Sequence, residues 1–189
     1  MQKKTPSRLS ALQQRTLLVV VALGVFMVAD TLYLLANRLA DVLDLGYFAV
    51  TDISLPKFYQ GMVLSHTGIG LVLVGLVLGF VVWHLPAVWR KSRKRAIYTG
   101  IVTVVLGLVL AVSGLFILSA SSNRGNGLAY WGHVGAAALV PLFYLLHRRI
   151  SLWKPSALSY RAVPGAIAAL LGLAVVLHGL TYSGEQYTQ

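Results

Sequence analysis

The chain has 189 residues, of which 57% are hydrophobic and 11% are charged. A soluble domain is typically about 45–50% apolar and about 25% charged, so this composition excludes an ordinary water-soluble globule and a disordered tail. The chain has no cysteine, which excludes disulfides, iron–sulfur clusters on its own thiolates and covalent c-type haem. The net charge of +11 would suggest nucleic-acid binding in a soluble protein, but here the basic residues lie in short runs between long apolar stretches.

Five apolar stretches are long enough to cross a bilayer, which needs roughly 20 residues of helix. They cover residues 16–37, 60–85, 97–120, 128–147 and 163–182. We therefore expect an all-α membrane protein that forms a single integral membrane domain over residues 1–189. Spans two to five are expected to form a four-helix bundle, with one further helix at the N-terminus. A basic start before an apolar run is also typical of a cleaved signal peptide, but this run is long for one and no clear A-x-A site ends it.

The charges predict the orientation of the spans. Thirteen of the sixteen basic residues lie in the N-terminal segment, the loop after span two and the loop after span four. Because basic loops stay in the cytoplasm, we expect a cytoplasmic N-terminus and an outer, periplasmic C-terminus. The localisation expected is the bacterial inner membrane, with several passes. Most of the positive charge is then explained by topology, and no nucleic-acid partner is expected.

The chain contains an internal repeat in which spans two and three match spans four and five. Span two begins Ser65-His66-Thr67-Gly68 and span four begins Gly132-His133-Val134-Gly135. The following spans close with Ser113-Gly114-Leu115 and His178-Gly179-Leu180. The repeating unit is therefore a pair of helices, present twice in tandem.

Glycines at strict seven-residue spacing strengthen the match between the two helix pairs. Such a spacing keeps one bare stripe facing a neighbouring helix. The stripe serves either close helix–helix packing or a flat macrocycle that needs the room, and both uses are compatible with one bundle. The glycines are Gly100, Gly107 and Gly114 in span three, and Gly165, Gly172 and Gly179 in span five.

Four histidines on spans two and four are the candidate ligands. His66 and His84 are 18 residues apart, five helical turns, and His133 and His147 are 14 apart, about 40° short of four turns, so each pair shares a face. The axial separations are about 27 Å and about 21 Å. We expect two pairs, His66 with His133 in the outer leaflet and His84 with His147 in the inner leaflet. Neutral imidazole on both sides completes the axial positions of a haem iron.

Two further roles for these histidines agree less well with the pattern. A single histidine near a helix end is commonly an interfacial residue, and His84 is the candidate ligand to which this role applies best. Zinc or iron bound directly is disfavoured, because the pairs are far apart and no membrane carboxylate or thiolate accompanies either.

This constellation resembles the dihaem b-type membrane cytochromes over spans two to five. The thirteen residues between His133 and His147 are typical of cytochrome b of the quinol–cytochrome c reductases. The seventeen between His66 and His84 are found in some cytochrome b subunits of respiratory nitrate reductases. The quinone-site motifs of the reductases have no match, so the subfamily is unassigned. The resemblance implies two haem b groups and quinone or quinol as the substrate.

Further residues have candidate roles at these sites. His178 is a candidate alternative ligand, a quinone contact or a proton carrier, or else an interfacial residue. Asp30, the acid inside span one, is expected either to take a proton from a quinol or to cap a helix end. Arginines near the span ends are candidate partners of the haem propionates, although topology alone also accounts for them. They are Arg90, Arg95, Arg148 and Arg149 on the inner side and Arg124 on the outer side.

The leading functional expectation is an electron-transfer subunit of a respiratory redox complex, without catalytic residues of its own. Electrons would pass between the quinone pool and a periplasmic cytochrome or oxidoreductase that docks on residues 38–59 and the tail after Tyr182. The alternatives are a haem-free small transporter or channel, and a membrane scaffold whose glycine stripes bind partner helices.

Overall fold

A computed structural model describes residues 10–45, 57–89, 94–119, 127–150 and 162–185. These residues form five helices and, within these ranges, no strands. All five helices are long and apolar enough to cross a membrane, which confirms the expected fold class. The helices are α1 (Ala11–Val42), α2 (Lys57–Trp89), α3 (Lys94–Ser119), α4 (Gly127–Ile150) and α5 (Ala162–Glu185).

Helix α1 extends five residues beyond the predicted span at each end, and local hydrogen bonds account for both limits. At its start, the hydroxyl of Ser10 accepts from the Gln13 amide at 3.2 Å, and Gln13 Oε1 accepts from the Ser10 amide at 3.0 Å. This reciprocal arrangement is a capping box. At its end, Asp44 adopts a φ of 53°, and the amide of Leu45 donates to the carbonyl of Ala40 at 2.9 Å. This is the Schellman arrangement that terminates many helices.

The contacts divide the chain into two compact units. Unit 1 comprises Met1–Leu17 and Val74–Ala157, and unit 2 comprises Leu18–Leu73 and Leu158–Gln189. Unit 1 thus contains α3, α4 and the second half of α2. Unit 2 contains most of α1, the first half of α2, and α5.

In unit 1, α3 and α4 form an antiparallel pair. Residues early in α3 face residues late in α4, because Gly100 lies against His147 and Gly114 lies against His133. Among the described residues, extensive backbone contact between two helices is confined to this pair. The α3–α4 pair is therefore the most closely packed part of the fold.

In unit 2, α1 and α2 contact each other through side chains. A methyl group at Gly70 would lie 3.7 Å from the terminal carbon of Met27, and Asp30 is bonded to His66. Helix α5 joins them through His178, which is bonded to Tyr33. The buried polar residues of α1 therefore determine where α2 and α5 contact it.

The predicted orientation can be tested because the chain contains no cysteine. Single cysteines are introduced as Ser92→Cys, between α2 and α3, and Ser122→Cys, between α3 and α4. We expect a membrane-impermeant maleimide to label Ser122→Cys on intact cells, and Ser92→Cys only after the cells are opened. The opposite pattern would show that the charge rule assigns the topology wrongly.

Candidate functional site

His147 lies in a cradle on α3 made of a carbonyl, a hydroxyl and a glycine. Its Nδ1 is 2.8 Å from the carbonyl oxygen of Ala96 and 3.4 Å from the hydroxyl of Thr99. A methyl group at Gly100 would lie 3.0 Å from Cε1 of the ring, so the imidazole occupies the space that a side chain would need. Because a carbonyl oxygen can only accept, Nδ1 carries the proton and Nε2 of the neutral ring carries the lone pair.

His133 is held by α3 in the same way. Its Nδ1 is 3.1 Å from the carbonyl oxygen of Leu110 and 3.1 Å from the hydroxyl of Ser113. A methyl group at Gly114 would lie 3.0 Å from its Cε1. The carbonyl again requires a proton on Nδ1, so both histidines of α4 have the same tautomer.

The two cradles form a repeat within the α3–α4 pair. In each, the hydroxyl follows the carbonyl by three residues and the glycine follows it by four. The cradles are 14 residues apart on α3, as are the two histidines on α4. The prediction that His133 and His147 share one face of α4 is confirmed, because both rings contact α3.

The glycine stripes have different surroundings in the two helices. In α3, Gly100 and Gly114 each accommodate an imidazole ring, whereas a methyl group at Gly107 would meet nothing within 4 Å. A methyl group at Gly165 or Gly172 in α5 would likewise meet nothing within 4 Å in the described parts of the chain. Two of the three α3 glycines therefore serve close packing of α4 through its histidines.

The inner pair, His84 and His147, lies within one unit. The two imidazoles are close enough for an electrostatic interaction. His84 stacks on Phe80 with ring centroids 5.0 Å apart and an interplanar angle of 20°. Its Nδ1 is buried and has no hydrogen-bond partner among the described residues, and the same holds for the hydroxyl of Tyr144, one turn before His147. The predicted inner site therefore contains one histidine held in a fixed tautomer, His147, and a second, His84, whose Nδ1 has no described partner.

Unit 2 contains a second polar cluster, centred on α1. The Asp30 carboxylate lies 3.0 Å from Nδ1 of His66. Asp30 is 1% exposed, and its other oxygen, Oδ1, is buried with no hydrogen-bond partner in the described ranges. The interpretation of Asp30 as a helix cap is wrong, because the residue lies inside α1 and bonds to α2.

His178 belongs to the same cluster. Its Nδ1 is hydrogen-bonded to the hydroxyl of Tyr33 at 2.6 Å, and it is 3% exposed, so it is not a bare interfacial residue. Asn37 donates to the carbonyl of Tyr33 at 2.8 Å. Three polar residues lie on one face of α1, separated by helical intervals of three and four residues. They are Asp30, Tyr33 and Asn37. This helical spacing of polar residues is visible in the sequence of an apolar span, and it is the signal that identifies Tyr33 and Asn37 beside Asp30.

The remaining predicted residues are distributed as follows. His66 and His133 belong to different units, so the outer pair stays a prediction. Arg95 and Arg149 are exposed and Arg148 is half-buried at the ends of α3 and α4. Arg90 and Arg124 lie outside the described residues. No group of three or more His, Asp or Glu side chains able to hold a metal ion is found in the parts of the chain that the structure covers.

The chain matches no protein-family model, no curated protein and no solved structure with which it was compared. Its function is therefore inferred from the chemistry of its two polar clusters. Each cluster contains two histidines whose Nδ1 is hydrogen-bonded to another helix. They are His133 and His147 in unit 1, and His66 and His178 in unit 2.

Substitution of the cradle glycines tests this packing. We expect Gly100→Ala and Gly114→Ala to destabilise the protein by about 1–3 kcal/mol each, because the new methyl group displaces an imidazole. Gly107→Ala is the matched control, and we expect it to be neutral or stabilising by up to about 1 kcal/mol, since alanine favours helix over glycine. Thermal unfolding in detergent measures the difference. Equal effects at all three positions would contradict the cradle geometry.

Proposed function

We propose that the protein is a membrane cytochrome b subunit that carries electrons across the bilayer through two bis-histidine b haems. The observation that carries this proposal is the repeated cradle of α3. It holds His133 and His147, four turns apart, in the tautomer that leaves Nε2 as the coordinating nitrogen. Metal-ligating histidines commonly donate their other ring N–H to a carbonyl or carboxylate in this way.

The chemistry of the inner histidines supports a haem there. Iron needs an unprotonated imidazole nitrogen on each side. His147 meets this requirement, because Nδ1 is bonded to Ala96 and Nε2 makes no hydrogen bond with any described residue. His84, on the other helix, has no protein partner at its buried Nδ1 within the described ranges. When bound there, a haem supplies reversible one-electron transfer.

The outer haem is assigned to His133 and His66, as expected from the sequence. Each of these rings has its Nδ1 held by an acceptor, the carbonyl of Leu110 for His133 and the carboxylate of Asp30 for His66. His133 and His147 are 14 positions apart, which corresponds to about 21 Å along α4 and separates the two haems across the bilayer.

The remaining parts of the proposal concern charge and partners. Arg95, Arg148 and Arg149, at the inner ends of α3 and α4, are candidate partners of the propionates of the inner haem. Electrons are exchanged with the quinone pool and with a periplasmic cytochrome or oxidoreductase. The chain acts as one subunit of that redox complex in the bacterial inner membrane.

A haem-free transporter is the second candidate, and the unit 2 cluster favours it. A fully buried carboxylate paired with histidine inside a membrane span is typical of ion and proton pathways. The two candidates differ in cofactor content, since a transporter of this kind is colourless.

Haem content tests the proposal directly. Purified protein, expressed with adequate haem, is expected to be red and to contain about two haem b per chain in a pyridine haemochrome assay. We expect His147→Ala and His84→Ala to remove the same haem, and His133→Ala to remove the other, because each haem needs both of its axial ligands. A reduced-minus-oxidised spectrum at low temperature resolves the two α-bands.

Trp131→Phe provides a control, since this exposed tryptophan on α4 lies close to His133 in sequence without a cradle contact. It should leave both haems in place. Colourless wild-type protein would exclude the electron-transfer proposal and favour the transporter. Equivalent losses in His178→Ala and His66→Ala would reassign the outer ligands.

A further inference from the structure

We propose that Asp30 is a positioning residue for His66 that lowers the midpoint potential of the haem bound by this histidine. The inference rests on the proposed function, and it concerns a residue for which the sequence suggested only proton uptake or a helix cap. The carboxylate acts through the imidazole and does not itself touch the iron.

The geometry is that of a carboxylate oriented toward one imidazole nitrogen. Asp30 Oδ2 lies 3.0 Å from His66 Nδ1, and the Asp30 side chain is 0% exposed while that of His66 is 24% exposed. A carboxylate at this position accepts the Nδ1 proton and directs Nε2 away as the coordinating nitrogen. The pair joins α1 to α2, so the ring is held by a helix other than its own.

The described hydrogen-bond partner of the Asp30 carboxylate is His66. The other oxygen of Asp30, Oδ1, is buried and has no hydrogen-bond donor among the residues that the structure describes. Within a region of low dielectric constant, a negative charge acts more strongly on its neighbour than it does in water. The imidazole is therefore polarised toward an anionic ring, which is a stronger donor to iron and stabilises the oxidised, more positive metal.

The other ligands provide an internal comparison. His133 and His147 donate to the carbonyls of Leu110 and Ala96, which carry no net charge. Asp30 therefore distinguishes His66 from His133 and His147 by a full negative charge at Nδ1. This charge makes one ligand of the outer haem chemically different from the carbonyl-bonded ligands.

A purely structural role for Asp30, as a tether between α1 and α2, predicts a loss of stability without a change in potential. The two roles are separated by Asp30→Asn, whose amide oxygen still accepts from Nδ1 but carries no charge. Asp30→Glu retains the charge. Asp41→Asn is the matched control, because Asp41 lies on α1 and pairs with Arg38 on an exposed part of the helix.

The experiment is a potentiometric titration of the purified full-length protein, followed at the two haem α-bands. In Asp30→Asn, we expect one of the two one-electron steps to move to higher potential and the other to stay in place. The expected size is about a tenfold change in the reduced-to-oxidised ratio of that haem at fixed ambient potential, because a charged acceptor makes a hydrogen bond roughly twice as strong as a neutral one. This ratio corresponds to about 59 mV for one electron. Asp30→Glu and Asp41→Asn should titrate close to wild type.

Each outcome decides the inference. Two haems with unchanged potentials in Asp30→Asn, or a shift of both steps by the same amount, would overturn it and leave the haem assignment intact. Wild-type protein without haem would overturn the proposed function as well. If Asp30→Asn does not accumulate, Asp30→Ser also removes the charge, and it is expected to move the same step in the same direction.

Discussion

Unit 1 depends on two hydrogen bonds from imidazole to backbone carbonyl, one toward each end of the α3–α4 pair. Each requires that α3 carry no side chain at the point of contact, because the ring occupies that space at Gly100 and at Gly114. In a membrane, an imidazole N–H without an acceptor is costly, so a cradle that offers one also determines how the two helices pack. The 14-residue spacing of Gly100 and Gly114 on α3, and the equal spacing of the two histidines on α4, follow from this one constraint.

Unit 2 satisfies its histidines differently. His66 and His178 are bonded to side chains of α1, Asp30 and Tyr33, instead of to a bare carbonyl. Side-chain partners hold helices together without requiring the backbones to approach closely, which agrees with the extensive backbone contact being found in the α3–α4 pair. They also introduce charge and acidity at the ring, which a carbonyl does not. The histidines of the two units therefore have chemically different hydrogen-bond partners.

The sequence was sufficient for the five helices, because the length and hydrophobicity of a span are properties of a local stretch of chain. The limits of α1 were missed, although the Ser10 capping box and the turn at Asp44 are local signals. Helical periodicity also predicted correctly that His133 and His147 share a face. Periodicity could not predict which helix contacts that face, because a glycine stripe accommodates an imidazole, a helix or a macrocycle equally well. The interpretation of Asp30 as a helix cap failed for the same reason, because its partner, His66, is 36 residues away and on another helix.

We propose that imidazole nitrogens coordinate iron, and that partners at Nδ1 orient Nε2 in three of the four ligands, His66, His133 and His147. Electron–nuclear double resonance on the oxidised protein, labelled with [15N]histidine, tests it at the metal itself. We expect two low-spin iron centres, each coupled to two imidazole nitrogens, with one centre lost in His147→Ala. An iron centre coupled to a single imidazole nitrogen, or no iron-coupled histidine nitrogen in the purified protein, would contradict it.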